Sequence, residues 1–183
     1  GYLAAVVQTN LVRLIAYSSV AQSGYFLMGI VALGVSPLAV PGVIIMAAAY
    51  VAMNLGAFAI VLVAGRHLDD IRGFGRTHPI AGVAMVVFLL SLTGIPPLFG
   101  FVGKVYLFGA AIEAGYLWLA IIGILNSVLA LGVYLRIVVP MYQAVPEDVA
   151  GFRNSPHPAL IAVIGVTSVV TLGMGLLAGL FPG

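Results

Sequence analysis

Lys104 is the only lysine in the chain, and it stands where a charge is expensive. It lies in an apolar run from Pro79 to Ile112, eight residues from the far end. An ionisable side chain at such depth faces protein or water rather than hydrocarbon, and marks an ion pathway. The chemistry an ammonium offers there is loss and regain of a proton. Other polar side chains fall at helical spacing around it. Ser18, Gln22 and Tyr25 recur at i, i+4 and i+7 on one helix face, with Tyr17 beside them. Tyr50 and Asn54 are four apart, and Asn126 and Ser127 are followed by Tyr134, seven residues beyond Ser127. Facing lipid these groups are costly, so they line the contacts among three helices, either as interhelical hydrogen bonds or as carriers of protons. His67, His78 and His157 lie in or beside loops without metal-ligand spacing. We find no nucleotide-binding glycine motif, haem or iron–sulfur pattern, or catalytic triad. No cofactor, no metal and no substrate chemistry are expected on this chain.

The elements that position Lys104 follow from length. Pro79–Ile112 is 34 residues long, where ~20 suffice to cross a bilayer. Pro96 and Pro97 break the run, because each lacks an N–H and pushes the preceding residue out of the α region. Gly94, Gly100 and Gly103 loosen the same stretch. Two part-helices joined by an irregular segment at depth are expected, a form tolerated only where protein or a water-filled cavity satisfies the freed backbone. A lysine snorkelling from a helix terminus is the plainer alternative, since Lys104 lies roughly 12 Å inside that end. The Pro-Pro break and three glycines have no use in simple anchoring.

With 183 residues, 7% of them charged, and a mean hydropathy of +1.23, the chain reads as an all-α polytopic membrane protein. Its apolar runs are too continuous for the alternating strands of a β-barrel. The net charge of +2 is too small to argue for nucleic acid, and no cysteine is present to form a disulfide or thiolate site. A single membrane domain over 1–183 is expected. Residues 1–12 are the tail of a preceding helix, and spans cover 13–34, 41–64, the broken 79–112, 116–139 and 158–181. Gly1 starts the chain without methionine or a basic leader region, which reads as a fragment of something longer. Alternating the loops puts Arg13, Arg66, Arg72, Arg76, Arg136 and Arg153 on one side, with Glu147 and Asp148. The opposite loops, 35–40 and 113–115, hold no basic residue. The arginine side is therefore expected to be cytoplasmic and the C-terminus to face the other compartment.

Two stretches carry a resemblance. One is Arg13-Leu14-Ile15-Ala16-Tyr17-Ser18-Ser19-Val20-Ala21-Gln22-Ser23-Gly24-Tyr25. The other is Leu89-Leu90-Ser91-Leu92-Thr93-Gly94-Ile95-Pro96-Pro97-Leu98-Phe99-Gly100-Phe101-Val102-Gly103-Lys104. With Leu68-Asp69-Asp70-Ile71-Arg72-Gly73 and Tyr134-Leu135-Arg136, they make the chain resemble the antiporter-like membrane subunits of complex I over nearly its whole length. Met53-Asn54-Leu55-Gly56 is similar to the branch of bacterial subunit N, mitochondrial subunit 2 and their chloroplast/cyanobacterial counterpart. Sister branches place histidine or lysine on that helix. The family often has Lys-Arg where Val12-Arg13 stands here.

The resemblance implies the second of two inverted repeats, each with a broken helix, plus the last helix. It implies that Lys104 is the proton-translocating lysine of that repeat, and that the first repeat, with its key glutamate and lysines, is missing. It further implies a non-redox subunit of a proton-pumping NADH:quinone oxidoreductase, coupled to quinone reduction in other subunits. Its partners would be neighbouring antiporter-like and small membrane subunits in the inner (plasma) membrane of a bacterium, or an equivalent energy-transducing membrane. A multisubunit Na⁺/H⁺ antiporter or membrane-bound hydrogenase is the alternative. A scaffold in which Lys104 merely pairs with Glu113 is a third reading.

Overall fold

The computed structural model describes residues 1–144 and 157–180, and the described residues are almost all helix or short link. In chain order the helices are α1 Tyr2–Val6, α2 Leu11–Val31, α3 Ala39–Ala64, α4 Phe74–Thr77, α5 Pro79–Thr93, α6 Phe99–Glu113, α7 Leu117–Met141 and α8 Pro158–Leu180. α2, α3, α7 and α8 are long and apolar enough to cross a membrane. α5 and α6, of 15 residues each, share the fifth crossing. Glu147, Asp148 and Arg153, and Phe181 at the end of the last expected span, lie outside the described residues.

Helix ends follow local chemistry. α2 starts two residues before the expected position because the Asn10 side chain caps it, accepting from the Arg13 amide at 3.0 Å. Helical order in the first stretch stops at Val6, and residues 7–10 form an irregular link rather than a continuous tail. That link pairs with the loop beyond α3: the Leu11 amide donates to the Arg66 carbonyl (2.7 Å) and the Leu68 amide to the Thr9 carbonyl (2.9 Å). Asp70 folds the same loop by accepting from the Arg66 and His67 amides. α3 begins at Ala39, so Pro41 falls in its first turn, where a missing N–H costs nothing. The short helix α4, which nothing in the polar loop announced, stacks Phe74 on His78 with centroids 4.8 Å apart. α7 runs to Met141, so Arg136 sits inside a helix rather than in the loop assigned to it.

α3 is the hub, packed against α6, α8, α5 and α2. Small residues make this possible. A Cβ on Gly103 would sit 2.8 Å from the Met46 Cα, and one on Gly100 would meet the Ser91 carbonyl. Both glycines lie within regular α6 helix. Their use is close approach, and the break itself is confined to residues 94–98. Pro96 and Pro97, joined by a cis bond, lie in that segment and are exposed. Gly175 of α8 packs on the backbone of Pro97 to Phe99, closing the break from one side.

Candidate functional site

The break leaves carbonyls without partners, and accounting for them locates the site. A helix end orphans its last carbonyls. At the end of α5, the Leu90 carbonyl accepts from the amides of Gly94 and Ile95, both at 3.1 Å, and the Ser91 carbonyl accepts from Gly94 at 3.0 Å. Gly94 makes this turn with φ of 92°, the left-handed conformation that favours glycine at such a position. The carbonyls of Leu92 and Thr93 are taken by a side chain from the next helix. Lys104 Nζ donates to Leu92 O at 3.0 Å and to Thr93 O at 2.8 Å. Its third bond goes to Ser127 Oγ of α7 at 3.1 Å. An ammonium has three donors, and all three are used. The Tyr25 ring lies beneath, 4.2 Å from Nζ to its centroid. Lys104 is 2% exposed. The negative end of the α5 dipole faces the ammonium, so it is held by neutral oxygens and a ring face.

The carboxylates go elsewhere among the described residues. Glu113 accepts from the Ser36 hydroxyl, Asp69 pairs with Arg72, and Asp70 binds backbone amides. Pairing of Lys104 with Glu113 is therefore not what this structure contains.

A second layer surrounds the lysine. Gln22 Nε2 donates to Leu92 O at 2.9 Å, sharing that acceptor with Lys104, and to the Tyr2 hydroxyl at 3.0 Å. Because a carbonyl only accepts, the amide orientation of Gln22 is determined. Its Oε1 is buried with no partner among the described residues. Tyr2 and Tyr134 meet edge to face, their hydroxyls 3.3 Å apart. On the other side, the Tyr25 hydroxyl lies 2.8 Å from Ser127 Oγ, donates to the Gly123 carbonyl at 3.0 Å, and accepts from Asn126 Nδ2 at 3.3 Å.

Of the residues picked out in the sequence, Gln22, Tyr25, Asn126, Ser127 and Tyr134 come together with Lys104 in this way. Ser18 is buried on the same face beside the Tyr134 hydroxyl, with which it interacts, and its own hydroxyl donates to the Ile15 carbonyl of its helix at 2.8 Å. Tyr17 does not join: it is 40% exposed, because one step along a helix turns a side chain by ~100°. Tyr50 and Asn54 bond each other at 2.8 Å, and the Tyr50 ring packs on Phe26, apart from the lysine. The sequence reading missed Tyr2, the two carbonyls, and Arg136, whose guanidinium caps α1 at the carbonyls of Ala5 and Val6. Gly94 is more than the helix breaker its type suggests: it is the gap the lysine stem passes through. A Cβ there would sit 2.7 Å from Lys104 Cδ.

The chain as a whole has counterparts among known proteins. Residues 1–130 match the family model described as NADH:quinone oxidoreductase/Mrp antiporter, transmembrane. The chain belongs to that family. It is 44% identical to NADH-quinone oxidoreductase subunit N of Paramagnetospirillum magneticum, over 97% of this chain and 37% of the relative. It is 46% identical to subunit N of Anaeromyxobacter sp., over 96% of this chain and 36% of the relative. The chain thus spans a little over a third of the length of these relatives. Among solved structures, a chain of respiratory complex I from Thermus thermophilus superposes with a TM-score of 0.84 at 31% identity, over 98% of this chain and 41% of that one. A chain of the Mrp complex from Dietzia sp. gives 0.80 at 26% identity, over 98% and 42%. The all-helical fold with one crossing split in two is thus the antiporter-like membrane-subunit fold.

Proposed function

We propose that this chain is the lysine-bearing second repeat and last helix of a proton-translocating subunit of a NADH:quinone oxidoreductase. Electron transfer occurs on other subunits and drives protonation changes here. The observation that carries this reading is the environment of Lys104. A lone ammonium at a helix break, held by two carbonyls, one hydroxyl and a ring face, has no carboxylate among the described residues to fix its charge permanently. Such a group is stable when charged and costly to leave in apolar surroundings without partners, so a change in a neighbouring charge shifts its proton occupancy. The superposed complex I chain is 31% identical against 26% for the Mrp chain, and the curated relatives are subunit N, which favours proton pumping coupled to quinone reduction over sodium–proton exchange.

On the same reading, the chain sits in a bacterial energy-transducing membrane with its arginine-bearing loops in the cytoplasm and its C-terminus opposite. It works only with the first repeat and with neighbouring membrane subunits, and carries no redox site itself.

The test replaces Lys104 by alanine and by arginine in the assembled complex in membrane vesicles, and measures proton uptake per quinone reduced. Alanine lowers the ratio. Arginine keeps the charge but gives up its proton far less readily, so it does not restore the ratio. Wild-type pumping by Lys104→Ala in a fully assembled complex would remove Lys104 from the path.

A further inference from the structure

The groups around Lys104 fall into two chemical kinds, and the division has a direction. On one side the ammonium donates to Leu92 O, which also accepts from Gln22 Nε2, which in turn donates to Tyr2. A backbone carbonyl has no proton to pass on, and an amide nitrogen that donates twice has no lone pair to accept one. This arm holds the lysine in place and stops protons. On the other side the ammonium donates to Ser127 Oγ, which lies 2.8 Å from the Tyr25 hydroxyl. Each hydroxyl both donates and accepts, so a proton added at one face can leave from the other.

We propose that Ser127 and Tyr25 form a two-hydroxyl relay that carries the proton to and from Lys104, while Leu92 and Gln22 make the opposite side a dead end. This rests on the reading of Lys104 as the proton-binding group. In the charged state Nζ donates to Ser127 Oγ, and both hydroxyls reach the Gly123 carbonyl, Ser127 at 3.2 Å and Tyr25 at 3.0 Å. The relay starts when Ser127 turns its hydrogen from that carbonyl to Tyr25, 2.8 Å away, while Tyr25 donates to Gly123. For discharge, the Tyr25 hydrogen rotates from Gly123 to a water molecule. As that water takes it, the Ser127 hydrogen moves to the Tyr25 oxygen and one Lys104 hydrogen moves to Ser127 Oγ. Each oxygen loses one proton and gains one, the water becomes hydronium, and the lysine is left as a neutral amine accepting from Ser127. Rotation of the two hydroxyls resets the pair.

The place for that water is beside Asn126, which is half-buried and already reaches the phenol oxygen at 3.3 Å. Ser127 lies ten residues into α7 from Leu117, and Lys104 nine residues from Glu113 at the end of α6. By helix rise both are roughly 14 Å inside the arginine-free face. The relay and the lysine therefore share a level in that half of the membrane, and the arginine-free face is the nearer outlet for the proton they pass. The Tyr25 ring also packs beneath the ammonium, so one residue supports the charge and conducts the proton.

The experiment uses the assembled complex in vesicles and takes wild type minus Lys104→Ala as the lysine-dependent pumping. Ser127→Ala should lower that component by about tenfold or more, the scale of losing a positioned proton-transfer group. Tyr25→Phe, which keeps the ring and removes the hydroxyl, should lower it as far, and the double variant should fall no further. Ser127→Thr, which keeps a hydroxyl on the same helix position, should retain it; a merely structural loss at Ser127 would not be mended in this way. If Ser127→Ala does not assemble, Tyr25→Phe and Ser127→Thr carry the comparison. Wild-type pumping by Ser127→Ala or Tyr25→Phe, with Lys104→Ala inactive, overturns the relay and leaves the lysine's role standing. Wild-type pumping by Lys104→Ala overturns both.

Discussion

Replacing Gly94 by alanine tests whether the lysine stem depends on a missing Cβ. Two costs are involved, and they can be separated. Gly94 has φ of 92°, and an L-residue held in a left-handed conformation costs roughly 1–2 kcal/mol. The added Cβ would also sit 2.7 Å from Lys104 Cδ and 3.5 Å from Cε and Nζ. Contact that close displaces the stem and draws Nζ off the Leu92 and Thr93 carbonyls. Interhelical hydrogen bonds in membranes are worth about 0.6–2 kcal/mol each, so losing both adds roughly 1–4 kcal/mol. With Lys104 already alanine the stem is absent and only the backbone cost remains. The four variants form a double-mutant cycle in the full-length subunit, read by denaturant titration in mixed micelles. The expected coupling between positions 94 and 104 is about 1–4 kcal/mol. If Gly94→Ala costs the same in both backgrounds within about 0.5 kcal/mol, the lysine does not use that gap and the reasoning fails.

Gln22→Leu should destabilise the subunit by about 1–3 kcal/mol in the same titration, because it removes the buried amide that donates to both the Tyr2 hydroxyl and the Leu92 carbonyl; no measurable change would mean that these bonds contribute nothing. Glu113→Gln should leave proton pumping at the wild-type ratio, since the carboxylate bonds the Ser36 hydroxyl and not the lysine; loss of pumping would place Glu113 on the path. Single cysteines at the exposed positions Thr77 and Val35 should react with an impermeant thiol reagent from opposite sides of the membrane; labelling of both from one side would refute the topology.

Sequence alone determined the class and the position of the break. These are one-dimensional properties. A bilayer fixes how many apolar residues cross it, and a proline removes a donor wherever it stands, so Pro79–Ile112 had to be interrupted at Pro96-Pro97. The shared face of Ser18, Gln22 and Tyr25 was equally legible, because helical periodicity needs no knowledge of neighbours. The tertiary structure decided which of those faces meet. Helices that are apolar all round carry little inside-to-outside contrast, so nothing in the pattern brings Tyr2 from the start of the chain to Tyr134. Gly100 and Gly103 looked like breakers and proved to be contact points, since a glycine reads the same in either use. The partners of Lys104 were the least legible of all. Two of them are backbone carbonyls, present at every residue, and only the end of α5 against α6 and α7 leaves those of Leu92 and Thr93 free to accept from it.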